Sequence, residues 1–260
     1  MNKQLQFVKK RTDAPPRFFE AEAAGLAWLA DAHGANGANV ASVIDVKPGH
    51  LVIAHIEEVE PTADAARNFG AALAVTHAAG ADAFGAPPDG WDGPLYIGNR
   101  QLPVAHETTW GPFYARDRVL PYLEIAAEVG SISEHGAQLV RDACALIATG
   151  EFDDDEPPAR LHGDLWNGNV LWSPDGVVLI DPAAHGGHRE TDLAMMVLFG
   201  CPHLGAILGG YESVLPLRPL WRERIPLHQL HPLAVHAAGH GPSYGIALAE
   251  AAEKVLALAD

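Results

Sequence analysis

The residues His162, Gly163 and Asp164 begin a polar segment, LHGDLWNGN, whose side chains are suited to acid–base and metal chemistry. Asn169 lies five residues after Asp164, and Asp181 lies twelve residues after Asn169. Phosphoryl transfer needs a carboxylate beside the attacking hydroxyl and oxygen ligands for the magnesium ion that bridges the nucleotide phosphates. The spacing therefore predicts Asp164 as the catalytic base, with Asn169 and Asp181 as magnesium ligands.

A predicted β-hairpin would bring these groups together. The runs NVLWS and VVLID have strand character, and Pro174-Asp175-Gly176 between them favours a tight turn. Asp and Asn also occur as simple turn formers, because their side chains bond to neighbouring backbone N–H groups. Three such polar residues around one hairpin nevertheless favour the catalytic interpretation.

Phosphoryl transfer also uses a lysine that holds the nucleotide phosphates and an acidic helix residue that orients the lysine. Lys9, at the end of a predicted strand, and Glu22, on the inner side of the next helix, fit these roles, with Lys10 and Glu20 as alternates. Either residue alone is more commonly a solvated surface charge. The assignment therefore depends on the downstream motif.

The elements that would position these residues fall into two parts. The first contains the strand LQFVKK, the helix FFEAEAAGLAWLADA, and two β-rich runs joined by a turn at Lys47-Pro48-Gly49. Thr62 is placed to cap the helix that follows. We therefore expect an N-terminal α/β nucleotide-binding lobe over residues 1–60 and a larger, mainly helical catalytic and substrate lobe over residues 61–260.

The larger part shows helix-compatible apolar spacing in three long segments: 63–79, 110–129 and 133–149. The stretch 81–107 is rich in Gly, Pro and aromatic residues without clear periodicity, which is typical of a long loop at a binding site. From residue 192 onward the pattern is helical and is expected to be interrupted at Pro202, Pro216, Pro219, Pro226, Pro232 and Pro242.

Composition limits the classes of function. The formal charge of −16 on 260 residues disfavours nucleic acid as a partner, since a polyanion would be repelled. Cys144 and Cys201 cannot form a disulfide framework, and the first residues lack the apolar core of a signal peptide. We therefore expect a cytoplasmic protein that neither spans a membrane nor carries a leader, and whose oligomeric state is open.

Sequence blocks along nearly the whole chain resemble the fructosamine kinase family, within the aminoglycoside and choline kinase group. They are FVKK at 7–10, FFEAEAAGLAWLA at 18–30, WGPFYARDRVLPYL at 110–123, LHGDLWNGNVLW at 161–172, IDPAAHGGHRETDLAMMVLFG at 180–200 and LHQLHPLAVHAAGHGPSYG at 227–245. HGDxxxxN with a later aspartate is shared by the wider group. HGDLWxGN followed by IDPAxxxGHRExDLAM is specific to fructosamine kinases.

The resemblance implies an α+β, protein-kinase-like two-lobe fold with a small, shortened β-rich lobe and a helical lobe that carries the catalytic hairpin. It implies ATP and Mg²⁺ as cofactors and phosphorylation of a sugar hydroxyl in ketosamines, the products of amine glycation, as a repair reaction. By position, the roles of Asp164, Asn169, Asp181, Lys9 and Glu22 are those given above. His162 and Asp192 would support the catalytic loop, and Trp166 could stack on a sugar face or pack in the core.

Two departures from the family pattern affect these expectations. A family member has a phosphate-covering loop ahead of the FVK strand, whereas six residues precede Phe7 here, so we expect the loop to be absent. Its backbone N–H groups normally bind the nucleotide phosphates, so ATP binding would weaken or depend on other segments. In addition, GNRQLPVAHE stands where an asparagine-containing segment near the substrate is expected.

Other functions remain open. One is phosphorylation of another hydroxylated amine, such as an aminoglycoside or a choline-like compound, and another is a regulatory or binding role as a pseudokinase. The histidines 185, 188, 228, 231, 236 and 240 raise the question of a transition-metal site. Their spacing is irregular, and a zinc site needs convergent ligands, so we favour packing and loop-stabilising roles for them.

Overall fold

The computed structural model describes residues 5–259. Its small lobe contains strand β1 (Gln6–Lys10), helix α1 (Phe18–Asp31), a 3₁₀ turn (Ala32–Ala35), and strands β2 (Asn39–Val40), β3 (Val43–Lys47) and β4 (His50–Ala54). Strands β1, β4 and β3 form an antiparallel sheet with β4 in the centre. Leu51 and Ile53 on β4 are buried against Phe19 and Leu26 of α1, so this helix and sheet share one core.

The predicted turn between β3 and β4 is confirmed, because Lys47 pairs with His50. Gly49 within it has a φ of 71°, a left-handed conformation that glycine adopts without a steric penalty. Helix α2 (Ala63–Ala78) follows and begins as predicted, with the Ala65 N–H donating to the Thr62 hydroxyl at 3.2 Å.

The remaining strands and helices follow α2. The strands are β5 (Leu95–Ile97), β6 (Arg100–Leu102), β7 (Ala159–Leu161), β8 (Val170–Ser173), β9 (Gly176–Leu179) and β10 (His185–Gly187). The helices are α3 (Trp110–Phe113), α4 (Leu120–Glu128), α5 (Glu134–Ile147), α6 (Arg189–Phe199), α7 (Leu204–Val214), α8 (Ile225–His240) and α9 (Pro242–Leu256).

Strands β8 and β9 form the predicted hairpin, and β2 adds to β9 in parallel. The sequence pattern did not predict β2 as a partner of the catalytic hairpin. The pairing connects the first 60 residues to the larger lobe by backbone hydrogen bonds. The division at residue 60 stays a prediction.

The segment predicted as one helix from 110 to 129 contains a π-helical stretch, Tyr114–Val119, between α3 and α4. Pro121 lacks the N–H that would donate to the Asp117 carbonyl in an α-helix. The Arg118 guanidinium donates to that carbonyl instead, at 3.1 Å. The Asp117 carbonyl therefore keeps a hydrogen-bond donor although the α-helix is interrupted.

Pro232 was predicted to interrupt the C-terminal helices, and this prediction is wrong because it lies inside α8. The Tyr114 hydroxyl reaches into the helix there. It donates to the Leu227 carbonyl at 3.0 Å and accepts from the His231 N–H at 3.1 Å. A side chain from another element therefore bridges the backbone groups next to the proline, which sequence periodicity cannot reveal.

The stretch 81–107 is not wholly irregular, since β5 and β6 pair within it as a short antiparallel hairpin. Strands of three residues are too short to show an alternating pattern. None of the helices within residues 5–259 has the length and apolar character needed to cross a bilayer. The expectation of a missing phosphate-covering loop concerns the chain ahead of β1 and lies outside the described residues.

Candidate active site

The polar segment around Asp164 lies between two paired strands. Strands β7 and β10 run antiparallel, with Leu161 opposite His185, and the chain passes from β7 through the segment into a 3₁₀ turn at Asn167–Asn169 and then into β8. The β8–β9 hairpin returns the chain to Asp181. The topology thus places Asp164, Asn169 and Asp181 around one short loop, which we call the catalytic loop (residues 162–169).

Gly163 makes this loop possible. Its φ is 81°, and a Cβ at this position would lie 2.2 Å from the Ala183 carbonyl oxygen. Any side chain would therefore push the loop away from the segment that follows Asp181. The absence of a side chain at residue 163 allows Asp164 and Asp181 to share one site.

The buried carboxylate of Asp192 fixes the loop backbone. Its two oxygens accept the N–H of His162 at 2.8 Å and that of Gly163 at 3.0 Å, and the Asp192 side chain also contacts His77 Nε2 at 3.1 Å. Burial by itself would raise the pKa of Asp192, but the bond from His77, the charges of His77 and His162 and the Gly163 N–H hold it below the usual value. His162 in turn contacts the Ile180 carbonyl through Nε2 at 2.9 Å.

Asp164 lines a cleft. The Asn169 amide donates to its backbone carbonyl at 2.8 Å and to its side-chain Oδ2 at 3.2 Å. Burial is the largest cause that raises the pKa of Asp164 to about 7, with the charges of Asp181 and Asp192 adding to it and the bond from Asn169 opposing it. A carboxyl group with this pKa is suited to accept a proton near neutral pH.

Lys9 faces the same cleft from β1. Its ammonium group donates to Glu22 Oε1 at 2.5 Å and to Asp181 Oδ1. Burial raises the pKa of Glu22, although the charge of Lys9 acts in the opposite direction. Of the two pairs considered from the sequence, the structure brings Lys9 and Glu22 together; for Lys10 and Glu20 the described residues contain no such ion pair.

Asn169 and Asp181 form a donor set that fits a hard divalent cation. Asn169 directs its amide N–H groups at Asp164, which turns its carbonyl oxygen away from that bond, and Asp181 supplies a half-exposed carboxylate. Amide and carboxylate oxygens are the ligands that magnesium takes in nucleotide sites. Asp181 has a φ of 54°, so the site holds a non-glycine residue in the left-handed region.

The cleft has a volume of about 480 Å³ and is bounded by both lobes. Trp166 lines it with 43% of its surface exposed, and its ring meets Phe199 edge-on with centroids 6.4 Å apart. Packing inside a core is therefore excluded for Trp166. An exposed indole beside Asp164 is available to a substrate.

Sequence reasoning missed several residues at this site. His77, from α2, is buried and joins Asp192 to the Tyr211 hydroxyl, which lies 2.8 Å from its Nδ1. It follows Phe69 and Leu73 at intervals of four on the buried side of its helix, and a histidine on an apolar face was the available signal. Arg11 and Asn99 also line the cleft. Arg11 belongs to no motif, whereas Asn99 lies in GNRQLPVAHE, the segment that stands where a segment near the substrate is expected.

Comparison with known proteins gives matches over nearly the whole chain. The family model described as fructosamine kinase matches residues 1–258. A protein of Enterococcus faecium named as a probable ketoamine kinase is 30% identical over 92% of this chain and 83% of its own length. The crystal structure of a proposed fructosamine-3-kinase from Thermobifida fusca is 46% identical, covers 97% of this chain and 85% of its own, and superposes with a TM-score of 0.88.

A more distant structure places the fold in a wider group. The crystal structure of a choline kinase from Streptococcus pneumoniae is 17% identical, covers 99% of this chain and 88% of its own, and has a TM-score of 0.56. At this identity the similarity concerns the fold alone. The α+β, protein-kinase-like architecture expected from the sequence is confirmed.

Proposed function

Because the chain belongs to the fructosamine kinase family, we propose that it transfers the terminal phosphate of ATP to a sugar hydroxyl of a ketosamine. The observation that carries the proposal is the meeting of Asp164, Asn169, Asp181 and Lys9 in one cleft between the lobes. A carboxyl group with a pKa near 7 stands beside oxygen ligands for a cation and an ammonium group for phosphates. These are the groups that phosphoryl transfer uses.

In the proposed reaction, Asp164 accepts the proton of the substrate hydroxyl as the oxygen attacks the terminal phosphorus. The bond between that phosphorus and the bridging oxygen breaks, and ADP leaves. The products are ADP, a sugar-phosphate amine and a proton, which Asp164 releases afterwards. Catalysis then depends on positioning and on charge neutralisation, without a covalent intermediate on the protein.

The other residues would hold the reactants. Lys9, oriented by Glu22, would bind the nucleotide phosphates, and Trp166 would stack against the sugar. Asn169 and Asp181 would ligate Mg²⁺, which when bound neutralises charge on the phosphates. His162 and Asp192 would keep the catalytic loop in place. We assign the reaction to the cytoplasm, where ATP is available.

The test is an assay of ADP release with MgATP and a panel of fructosylamines, ribulosylamines and aminoglycosides. We expect turnover of ketosamines, and we expect Asp164→Asn to lower kcat by about 10²- to 10⁴-fold with little effect on the KM for ATP, since an amide cannot accept the proton. Asp175→Asn, in the exposed turn of the β8–β9 hairpin, is the matched control. Turnover of aminoglycosides alone would support the alternative amine kinase, and no turnover of any hydroxylated substrate would refute a kinase role.

A further inference from the structure

Arg11 provides a further basic group on the wall of the cleft, which Lys9 and Lys10 also line. Alternate residues of a strand face the same side, so Arg11 follows Lys9 toward the cleft. The strand geometry extends to Arg11, because its N–H donates to the Gly49 carbonyl at 3.0 Å. Both side chains line the cleft that contains Asp164.

The surroundings of the two cations differ. The Lys9 ammonium lies between two carboxylates, those of Glu22 and Asp181. The Arg11 guanidinium donates through Nη1 to the neutral amide oxygen of Asn99 at 2.6 Å and through Nε to Asp13 at 3.2 Å. Asp13 is 81% exposed, so solvent and salt screen its charge. Within residues 5–259, Nη2 of Arg11 has no hydrogen-bond partner, so the guanidinium keeps donors for a ligand.

Contacts with the β5–β6 hairpin hold the guanidinium in place. Asn99 lies in the turn of that hairpin, and the Tyr96 hydroxyl on β5 donates to the Pro16 carbonyl at 2.8 Å. The Tyr96 and Phe18 rings are 5.3 Å apart, and the Arg11 guanidinium lies over Phe18 at 5.3 Å from the ring centre. The hairpin of the larger lobe is thus attached to the small lobe around Arg11, and a group fixed in advance loses less entropy when it binds.

A planar guanidinium with free donors binds oxyanions through paired hydrogen bonds. The chain has a formal charge of −16, so an anionic ligand is repelled at long range and needs local cations to bind. We propose that Arg11, held by Asn99, is an oxyanion-binding residue at the mouth of the cleft. It contacts either the phosphates of the nucleotide or a carboxylate on the amine part of the ketosamine. This inference rests on the proposed function, on its nucleotide for the first source and on its ketosamine for the second.

The experiment compares Arg11→Gln with Arg17→Gln. Arg17→Gln is a matched control because it removes the same charge from the same lobe. The Arg17 guanidinium lies over the Trp91 ring at 4.1 Å and pairs with the exposed Asp92. Binding of ADP and ATP with Mg²⁺ is measured by calorimetric titration. Kinetics are measured with fructosylglycine, which carries a carboxylate, and with fructosylethylamine, which does not. Thermal midpoints check that each variant is folded.

We expect Arg11→Gln to weaken one class of ligand by about 10-fold, as the loss of a charge-assisted hydrogen bond implies. Weaker nucleotide binding, with both amines affected equally, assigns the contact to the phosphates. A higher KM for fructosylglycine alone, with nucleotide binding unchanged, assigns it to the substrate carboxylate. Asn99→Asp should act in the same direction, because a carboxylate beside the guanidinium competes with the ligand.

The proposal is overturned if nucleotide affinity and both KM values of Arg11→Gln equal those of Arg17→Gln. A failure of the proposed function gives a different result, namely no ketosamine turnover by the wild-type protein. In that case titration with ADP, ATP and fructosylglycine still reports whether Arg11 binds an oxyanion. Loss of binding in both arginine variants would also overturn the proposal, since it would show a general effect of charge.

Discussion

Helix α6 begins with two buried carboxylates, Glu190 and Asp192, that lie two residues apart and serve different regions. Asp192 accepts hydrogen bonds from backbone N–H groups of the catalytic loop. Glu190 instead pairs with Arg224 at 2.5 Å and approaches His228 at 3.5 Å, within a histidine cluster formed by His188, Glu190 and His228. One carboxylate shapes the cleft, and the other joins α6 to α8 and the segment before it.

The histidine cluster has the composition of a metal site, and its potential ligand atoms lie within 4.8 Å of one another. Its members are nevertheless engaged with the protein. His188 accepts the Glu190 N–H through Nδ1 and contacts Asp154 through Nε2 at 3.2 Å, while His228 Nδ1 lies 3.1 Å from the Thr191 hydroxyl. These contacts support the packing and loop-stabilising roles expected for the histidines.

The difference between the catalytic loop and the histidine cluster shows that residue type and burial alone do not identify a functional site. Both regions contain buried acids and histidines, but the catalytic loop leaves Asp164, Asn169 and Asp181 beside a cleft. In the histidine cluster the side chains bond to other protein groups, and the Trp110 ring lies tilted against the His188 and His228 rings with centroids 5.4 and 4.9 Å away. Three changes test this division, beginning with the largest expected effect.

Asp192→Asn should lower kcat by about 10- to 100-fold. An amide can accept only one of the two loop N–H groups well, which leaves the other unpaired and shifts Asp164. The free energy of unfolding should also fall by about 1–3 kcal/mol. Steady-state kinetics and urea unfolding measure the two effects. A stability loss with unchanged kcat would show that Asp192 does not position the loop.

Asp164→Asn should stabilise the protein, and more so at pH 8 than at pH 5. The pKa of Asp164 in the folded state, about 7, lies above its value in the unfolded state because burial disfavours the ionised carboxylate. The free energy of unfolding therefore falls as the pH rises toward and through 7. Asparagine is neutral throughout, so the gain should grow across this window and reach up to a few kcal/mol. Urea unfolding at both pH values measures it, with Asp175→Asn as the control. A gain that is independent of pH would contradict the buried-carboxylate assignment.

Glu190→Gln should lower the free energy of unfolding by about 1–2 kcal/mol at pH 7 without changing kcat, since it leaves Arg224 without its charge partner. Burial would raise the pKa of Glu190, but His228 and Arg224 lower it to about 2. The contribution of the ionised Glu190 to stability is therefore present above about pH 4.5 and is lost as the pH falls toward 2.

Unfolding curves between pH 7 and pH 3 should show the difference from wild type shrinking. Glu134→Gln, at an exposed helix start, is the control. A large drop in kcat for Glu190→Gln would show that the histidine cluster contributes to the active site. A lower thermal midpoint after metal chelation would show that the cluster binds a metal. Either result would contradict the division between the two regions.

The local parts of this protein were predictable from its sequence. The turn at Pro174-Asp175-Gly176 and the cap at Thr62 are decided by backbone preferences and short-range hydrogen bonds, which depend on a few neighbouring residues. The spacing of Asp164, Asn169 and Asp181 across a hairpin also predicted that the three would lie near one another. The helix at Pro232 was mispredicted because its compensation comes from Tyr114, a residue far away in the sequence.

The tertiary structure decided the rest. The choice of Lys9 over Lys10 depends on which face of β1 turns toward α1, and the contact of Arg11 with Asn99 depends on how the β5–β6 hairpin meets the small lobe. His77 reaches Asp192 because α2 and α6 pack around the same loop. By itself the sequence determined which groups are available for phosphoryl transfer. Packing between distant segments determined how those groups are held, because buried polar atoms take whichever partners the fold brings within hydrogen-bonding distance.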